Sequence, residues 1–100
     1  MRVAVTYENG KVFQHFGHTE QFKIYDVENG TIVASQIVDT NGSGHGALAG
    51  VLTALNADVL ICGGIGGGAQ MALAAAGIKL YGGVSGNADA AVAAFVEGKL

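Results

Sequence analysis

Twenty consecutive residues, Val59 to Ile78, carry no formal charge, and five of the six positions from Gly63 to Gly68 are glycine. No other stretch constrains the chain as much. Val59-Leu60-Ile61-Cys62 is a short apolar run between Asp58 and glycine, and reads as a buried strand. Beyond the glycines, Ala69, Ala72, Leu73 and Ala76 recur at helical spacing, and Gly77 is placed for a C-cap. A run this long also meets the length of a membrane span. Its glycines, Gln70 and its alanines instead predict a tightly packed soluble core.

A strand, a bare loop and a helix N-terminus in that order can form an anion site. The loop N–H groups are uncovered by side chains, and the helix dipole favours negative charge at that end. A plain turn between strand and helix is the competing reading. Two sharper readings fail. Gly64-x-Gly66-x-x-Ala69 has the letters of the dinucleotide fingerprint. However, it lies past the middle of the chain, and no βα unit remains after the acidic residue near Asp89. Nucleotide-hydrolase loops end in Gly-Lys-Ser/Thr, whereas Gly68-Ala69-Gln70 has neither the lysine nor the hydroxyl.

One hundred residues, half of them hydrophobic and 13% charged, suffice for one domain with one core and exclude a disordered chain. A net charge of −3 leaves no basic footprint for nucleic acid. One cysteine permits no internal disulfide and suggests a reducing compartment. Met1-Arg2-Val3-Ala4-Val5 enters a strand directly without signal-peptide character, so a cytoplasmic protein with no membrane partner is expected.

The front half reads as antiparallel. Arg2 to Tyr7 is a first strand, and Asn9-Gly10 is a strong turn signal. Lys11 to His18 is too irregular to be regular structure throughout. Phe22 to Val27 alternates as a second strand, Asn29-Gly30 turns, and Thr31 to Val38 returns. The back half changes character. A polar connection from Asp39 to Gly46 precedes helical spacing at Leu48, Val51, Leu52 and Leu55. After the central strand, loop and helix, Lys79 to Gly82 is a further strand. Asn87 is then an N-cap, Asp89 suits the first turn, and Ala91, Val92, Phe95 and Val96 form a last apolar stripe.

The expected order is β-β-β-α-β-α-β-α: an α/β domain in three layers, with a mixed five-stranded sheet spanning residues 1–100. Right-handed crossovers would set the last two strands parallel to the first. Ligands in such a sheet gather at the carboxyl ends of the strands. That edge would collect the connection at Asn41 to Gly46, the loop at Cys62 to Gly68 and the loop at Gly82 to Asn87. Candidate cofactor-binding residues are accordingly Asn41, Ser43, Gly63, Gly64, Ile65, Gly66 and Gly67.

The candidate metal ligands are His15, His18, His45 and Cys62. The spacing of His15 and His18 lets both rings face one metal if the segment turns. Imidazole and thiolate suit transition metals and metal–sulfur species. For Cys62 the competing reading is packing at a buried strand end. Conventional iron–sulfur clusters hang on about four thiolates, and this chain offers one. A closed zinc site would need all four candidates to converge. The natural remainder is a preassembled, anionic metal–sulfur cluster that brings its own sulfides and is held by one or two ligands plus backbone N–H groups. No Gly-x-Ser-x-Gly elbow surrounds Ser43 or Ser85, so a catalytic serine is not supported.

Three features together resemble the dinitrogenase iron–molybdenum cofactor biosynthesis family: His15-Phe16-Gly17-His18 followed by Phe22-Lys23-Ile24-Tyr25, the loop Gly63-Gly64-Ile65-Gly66, and Gly77-Ile78 leading to Gly98-Lys99-Leu100. The resemblance covers essentially the whole chain, as a small single-domain member. It implies a ribonuclease H-like fold without nuclease chemistry, and Val3-Ala4-Val5-Thr6 indeed carries no carboxylate for a nuclease metal. It also implies a non-catalytic protein that carries an iron–molybdenum cofactor precursor or a related molybdenum- or iron-containing sulfide cluster, bound transiently. Donor and acceptor proteins of metallocofactor assembly are the implied partners, with the chain a monomer or weak homodimer. His15 and His18 match the family's histidine motif, and Gly63 to Gly67 its glycine loop. The alternative is a small anion- or nucleotide-binding regulatory module using Gly63 to Gly68 alone.

Overall fold

The computed structural model describes residues 1–42 and 45–100, with the side chains of residues 45 and 46 outside the description. The strands are β1 (Arg2–Glu8), β2 (Lys11–Val12), β3 (Gln21–Glu28), β4 (Thr31–Asp39), β5 (Val59–Ile61) and β6 (Lys79–Tyr81). The helices are α1 (His45–Ala54), α2 (Gly67–Ala75) and α3 (Ala88–Val96), and a single 3₁₀ turn spans Phe16–His18. The mixed sheet runs β4-β3-β1-β5-β6, with β2 alongside β1. The front strands β1, β3 and β4 pair antiparallel, while β1, β5 and β6 are mutually parallel, as the crossover argument predicts.

Local chemistry explains most of the elements. Asn9-Gly10 and Asn29-Gly30 all adopt positive φ, the requirement of a tight turn whose twist matches a hairpin. Asn87 caps α3 by accepting from the Ala90 N–H at 2.8 Å. Gly77, at φ +77°, ends α2, and the following Ile78 N–H returns to the Leu73 carbonyl at 3.0 Å.

Two apolar clusters cover the two faces of the sheet. On one, Ala4, Phe22, Ile24, Leu60 and Cys62 meet Leu48 and Leu52 of α1 and Leu73 of α2. On the other, Val3, Val5, Tyr25, Val27, Val59 and Ile61 meet Ala88, Ala91 and Val92 of α3. Val3–Val5 of β1 and all of β5 are buried on both sides and apolar, as paired parallel strands beneath helices must be. Among the described residues no helix is long and apolar enough to cross a membrane, because the uncharged run is broken into β5, a loop and α2.

Among the described residues the expected five strands are corrected to six, with β2 inserted in the expected order. The Asn9-Gly10 turn folds Lys11-Val12 back on β1, with Tyr7 opposite Val12 and Glu8 opposite Lys11. Tyr7 also pairs with Gln21 of β3, so β2 must lie on the β5 side of β1, past the end of β5. This small strand positions the site. It delivers the chain from Phe13 onward across the carboxyl end of β5, where the glycine loop begins.

Candidate functional site

The segment after β2 is held by its own hydrophobic anchor. Phe16 is almost wholly buried, with its ring 6.3 Å from that of Phe22. Its burial turns the flanking residues outward, and the His18 N–H closes the 3₁₀ turn on the His15 carbonyl at 3.0 Å. In such a turn, side chains three apart lie nearly one above the other. His15 and His18 are both exposed and line one cleft of about 690 Å³. His15 is steadied from outside by an edge-on contact with Phe13, the ring centroids 6.1 Å apart.

The opposite wall is the glycine loop and the start of α2, through Gly64, Ile65, Gly66, Gly68, Ala69 and Ala72. The glycines divide into two kinds. Gly63 and Gly64 are demanded by packing: a β-carbon on Gly63 would lie 2.6 Å from the Gln14 Cα, and one on Gly64 would lie 3.1 Å from the Gln14 carbonyl oxygen. That contact is a short parallel bridge. The Gly64 N–H donates to the Gln14 carbonyl at 2.7 Å, and the Phe16 N–H donates to the Gly64 carbonyl at 3.0 Å. The Gly64 N–H is therefore committed to protein and does not face a ligand.

Gly66, Gly67 and Gly68 face open space. Gly66 is the N-cap of α2 and supplies no side-chain cap. The first N–H groups of a helix have no intrahelical acceptor, and the helix dipole places partial positive charge there. The cleft receives this end, and no carboxylate lines it among the described residues. Despite the net charge of −3, the cleft is electrostatically suited to an anion.

The remaining sequence candidates lie elsewhere. Cys62 is fully buried in the face packed by α1 and α2, and burial pushes its thiol up to about 11. Its Sγ lies 3.6 Å from the Gly63 carbonyl oxygen, to which the thiol donates. Asn41 is exposed in a turn at φ +55° and does not line the cleft. Gly63 and Gly67 flank the wall without lining it. His45 opens α1 with its side chain outside the description, and Ser43 lies outside the described residues. Among the described residues no group of three or more His, Cys, Asp or Glu is arranged to hold a metal ion. Sequence reasoning missed Gln14, which joins both walls, and Ala69 and Ala72, whose small side chains leave the α2 wall low. The helical spacing of the alanines could have shown the latter.

The sequence matches the model of a family described as dinitrogenase iron–molybdenum cofactor over residues 1–98. An uncharacterized protein of Methanocaldococcus jannaschii is 30% identical over 106 aligned residues, covering 100% of this chain and 89% of that one. The crystal structure of the protein PH0822 superposes with a TM-score of 0.95 at 30% identity, covering 100% of this chain and 92% of the other. The apo form of the orange protein from Desulfovibrio gigas gives a TM-score of 0.86 at 35% identity, with coverage of 98% and 88%. The histidine turn, the glycine loop and the surrounding fold thus lie within one matched unit, and the chain belongs to the dinitrogenase iron–molybdenum cofactor family.

Proposed function

We propose that this chain binds and carries a preassembled, anionic metal–sulfur cluster in the cleft between the His15–His18 turn and the N-terminus of α2. One observation carries the reading: two exposed imidazoles and an uncapped helix N-terminus face the same cleft, and no carboxylate lines it among the described residues. The imidazoles supply metal ligands, and the α2 end stabilises the anionic sulfides. A cluster that brings its own sulfides suits a site with so few protein donors, which also allows release. The cargo fits the family's iron–molybdenum cofactor association.

The role is that of a carrier without turnover, exchanging cargo with donor and acceptor proteins of cofactor assembly in the cytoplasm. The main sheet path supports a ribonuclease H-like architecture used as a single binding domain. His15 and His18 are assigned as ligands, with Gly66 and its helix as the anion contact. Cys62 is assigned to the core.

Anaerobic reconstitution of the apoprotein with iron, molybdate and sulfide tests the reading. Wild type should take up a coloured, stoichiometric cluster, and the His15→Ala/His18→Ala variant should not. Equal uptake by both would remove the proposed ligands. Phosphate binding that ignores both histidines, with no cluster uptake, would favour the regulatory anion-binding module.

A further inference from the structure

Gln14 sits where three loops meet. Its backbone carbonyl accepts from Gly64, which ties the histidine segment to the glycine loop. Its side-chain Nε2 donates at 3.0 Å to the carbonyl of Val12 at the end of β2, and at 3.0 Å to that of Val84 beyond β6. A carboxamide NH₂ has two donors, and both are used here. Carbonyl oxygens only accept, so the amide orientation is settled by its partners. The oxygen side of the amide packs against Gly63, whose missing side chain leaves the room: a β-carbon there would be 2.7 Å from the Gln14 Oε1.

The Gly63 and Cys62 carbonyls accept in turn from Gly83 at 2.9 Å and Val84 at 3.0 Å. The glycine loop is thus bonded on one side to the β6–α3 loop and on the other to Gln14. The Gln14 side chain closes the ring by joining Val84 directly to the histidine segment. His15 is the next residue, and its backbone runs in the bridge opposite Gly64.

We propose that Gln14 is a positioning residue, a latch that fixes the height of the His15–His18 turn above the N-terminus of α2. It touches no cargo and acts through His15. The width of the cleft depends on the separation of its two walls; the Gln14 backbone carbonyl bonds across to Gly64, and the Gln14 side chain braces that crossing from Val12 and Val84. The functional half of this inference rests on the carrier reading, whereas the structural half stands without it.

Two variants separate bonding from space-filling. Gln14→Met keeps the length and removes both donors. Gln14→Glu keeps the shape but sets a carboxylate against two carbonyl oxygens. In apoprotein labelled with nitrogen-15, amide exchange of Gly64 and Phe16 and the imidazole resonances of His15 are compared with wild type. Uptake of iron, molybdate and sulfide is measured in parallel.

Loss of the two bonds should speed Gly64 exchange about tenfold, shift the His15 resonances and weaken uptake about tenfold, with Gln14→Glu the worse of the two. Unchanged exchange and unchanged His15 resonances in both variants would overturn the latch. Faster exchange with wild-type uptake would overturn its positioning role. If wild type itself takes up no cluster while exchange and resonances respond as expected, the carrier reading fails and the latch stands.

Discussion

Gly63 lies against Gln14 so closely that a β-carbon on Gly63 would stand 2.6 Å from the Gln14 Cα. Backbone meets backbone there, and no rotamer change can relieve the overlap. Gly63→Ala should therefore push the histidine segment off the glycine loop and cost about 1–3 kcal/mol, read as a lowered Tm together with lost cluster uptake. Gly67→Ala is the contrast. Nothing lies within 4 Å of a β-carbon at Gly67, the first residue of α2. That change should raise stability by about 0.5 kcal/mol through reduced chain entropy.

Gly66→Asp should separate stability from binding. An aspartate N-cap would satisfy an orphan N–H and complement the dipole of α2, which stabilises the fold by roughly 0.3–1 kcal/mol. The same carboxylate would stand at the helix end proposed for the anionic cargo. Thermal unfolding should shift upward while uptake falls at least tenfold. Unimpaired uptake would move the cargo away from α2.

Cys62 should behave as a core residue. Its thiol is fully buried and raised to about 11, so native protein at pH 8 should react with iodoacetamide far more slowly than unfolded protein. Cys62→Ala should cost about 1 kcal/mol and leave uptake at the wild-type level. Loss of uptake with a preserved fold would make Cys62 a ligand and require the end of β5 to rearrange on binding.

Acid should loosen two contacts between distant segments. The Lys23 ammonium and the Tyr25 hydroxyl, at 2.8 and 2.6 Å, hold the Asp89 carboxyl below its usual range and fasten α3 to β3. The Arg2 guanidinium, at 2.8 Å, does the same for Asp26. Because both carboxylates titrate lower in the folded chain, their contribution is fully present above about pH 4 and is lost as pH falls through the folded values. Tm should be level near neutrality and decline below about pH 4. Asp89→Asn should flatten part of that decline. An unaltered acid limb in Asp89→Asn would discard the assignment.

Elements governed by near neighbours were legible in the sequence. The Asn-Gly turns need only two residues able to take positive φ, the α3 cap needs Asn87 three positions before Ala90, and the apolar stripes need only the period of their own helix. The histidine turn was legible only conditionally: the spacing of His15 and His18 lets both rings face one metal if the segment turns, and the burial of Phe16 is what turns it. These signals span few residues, so chain order preserves them.

Contacts between distant residues were decided by the tertiary structure alone. Five glycines in a row of six looked like one uniform anion cradle, yet packing against Gln14 claims the first two and only the helix end stays open. Two residues, Lys11 and Val12, carry too little periodicity to announce a strand, although that strand brings the histidines to the cleft. Whether Cys62 faced core or cleft depended on which sheet face α1 and α2 covered. Gln14 gave no local sign, because its partner Val84 is 70 positions away. Sequence pattern reports the period and chemistry of a segment, whereas the use made of a backbone N–H or a missing side chain depends on which remote segment folds against it.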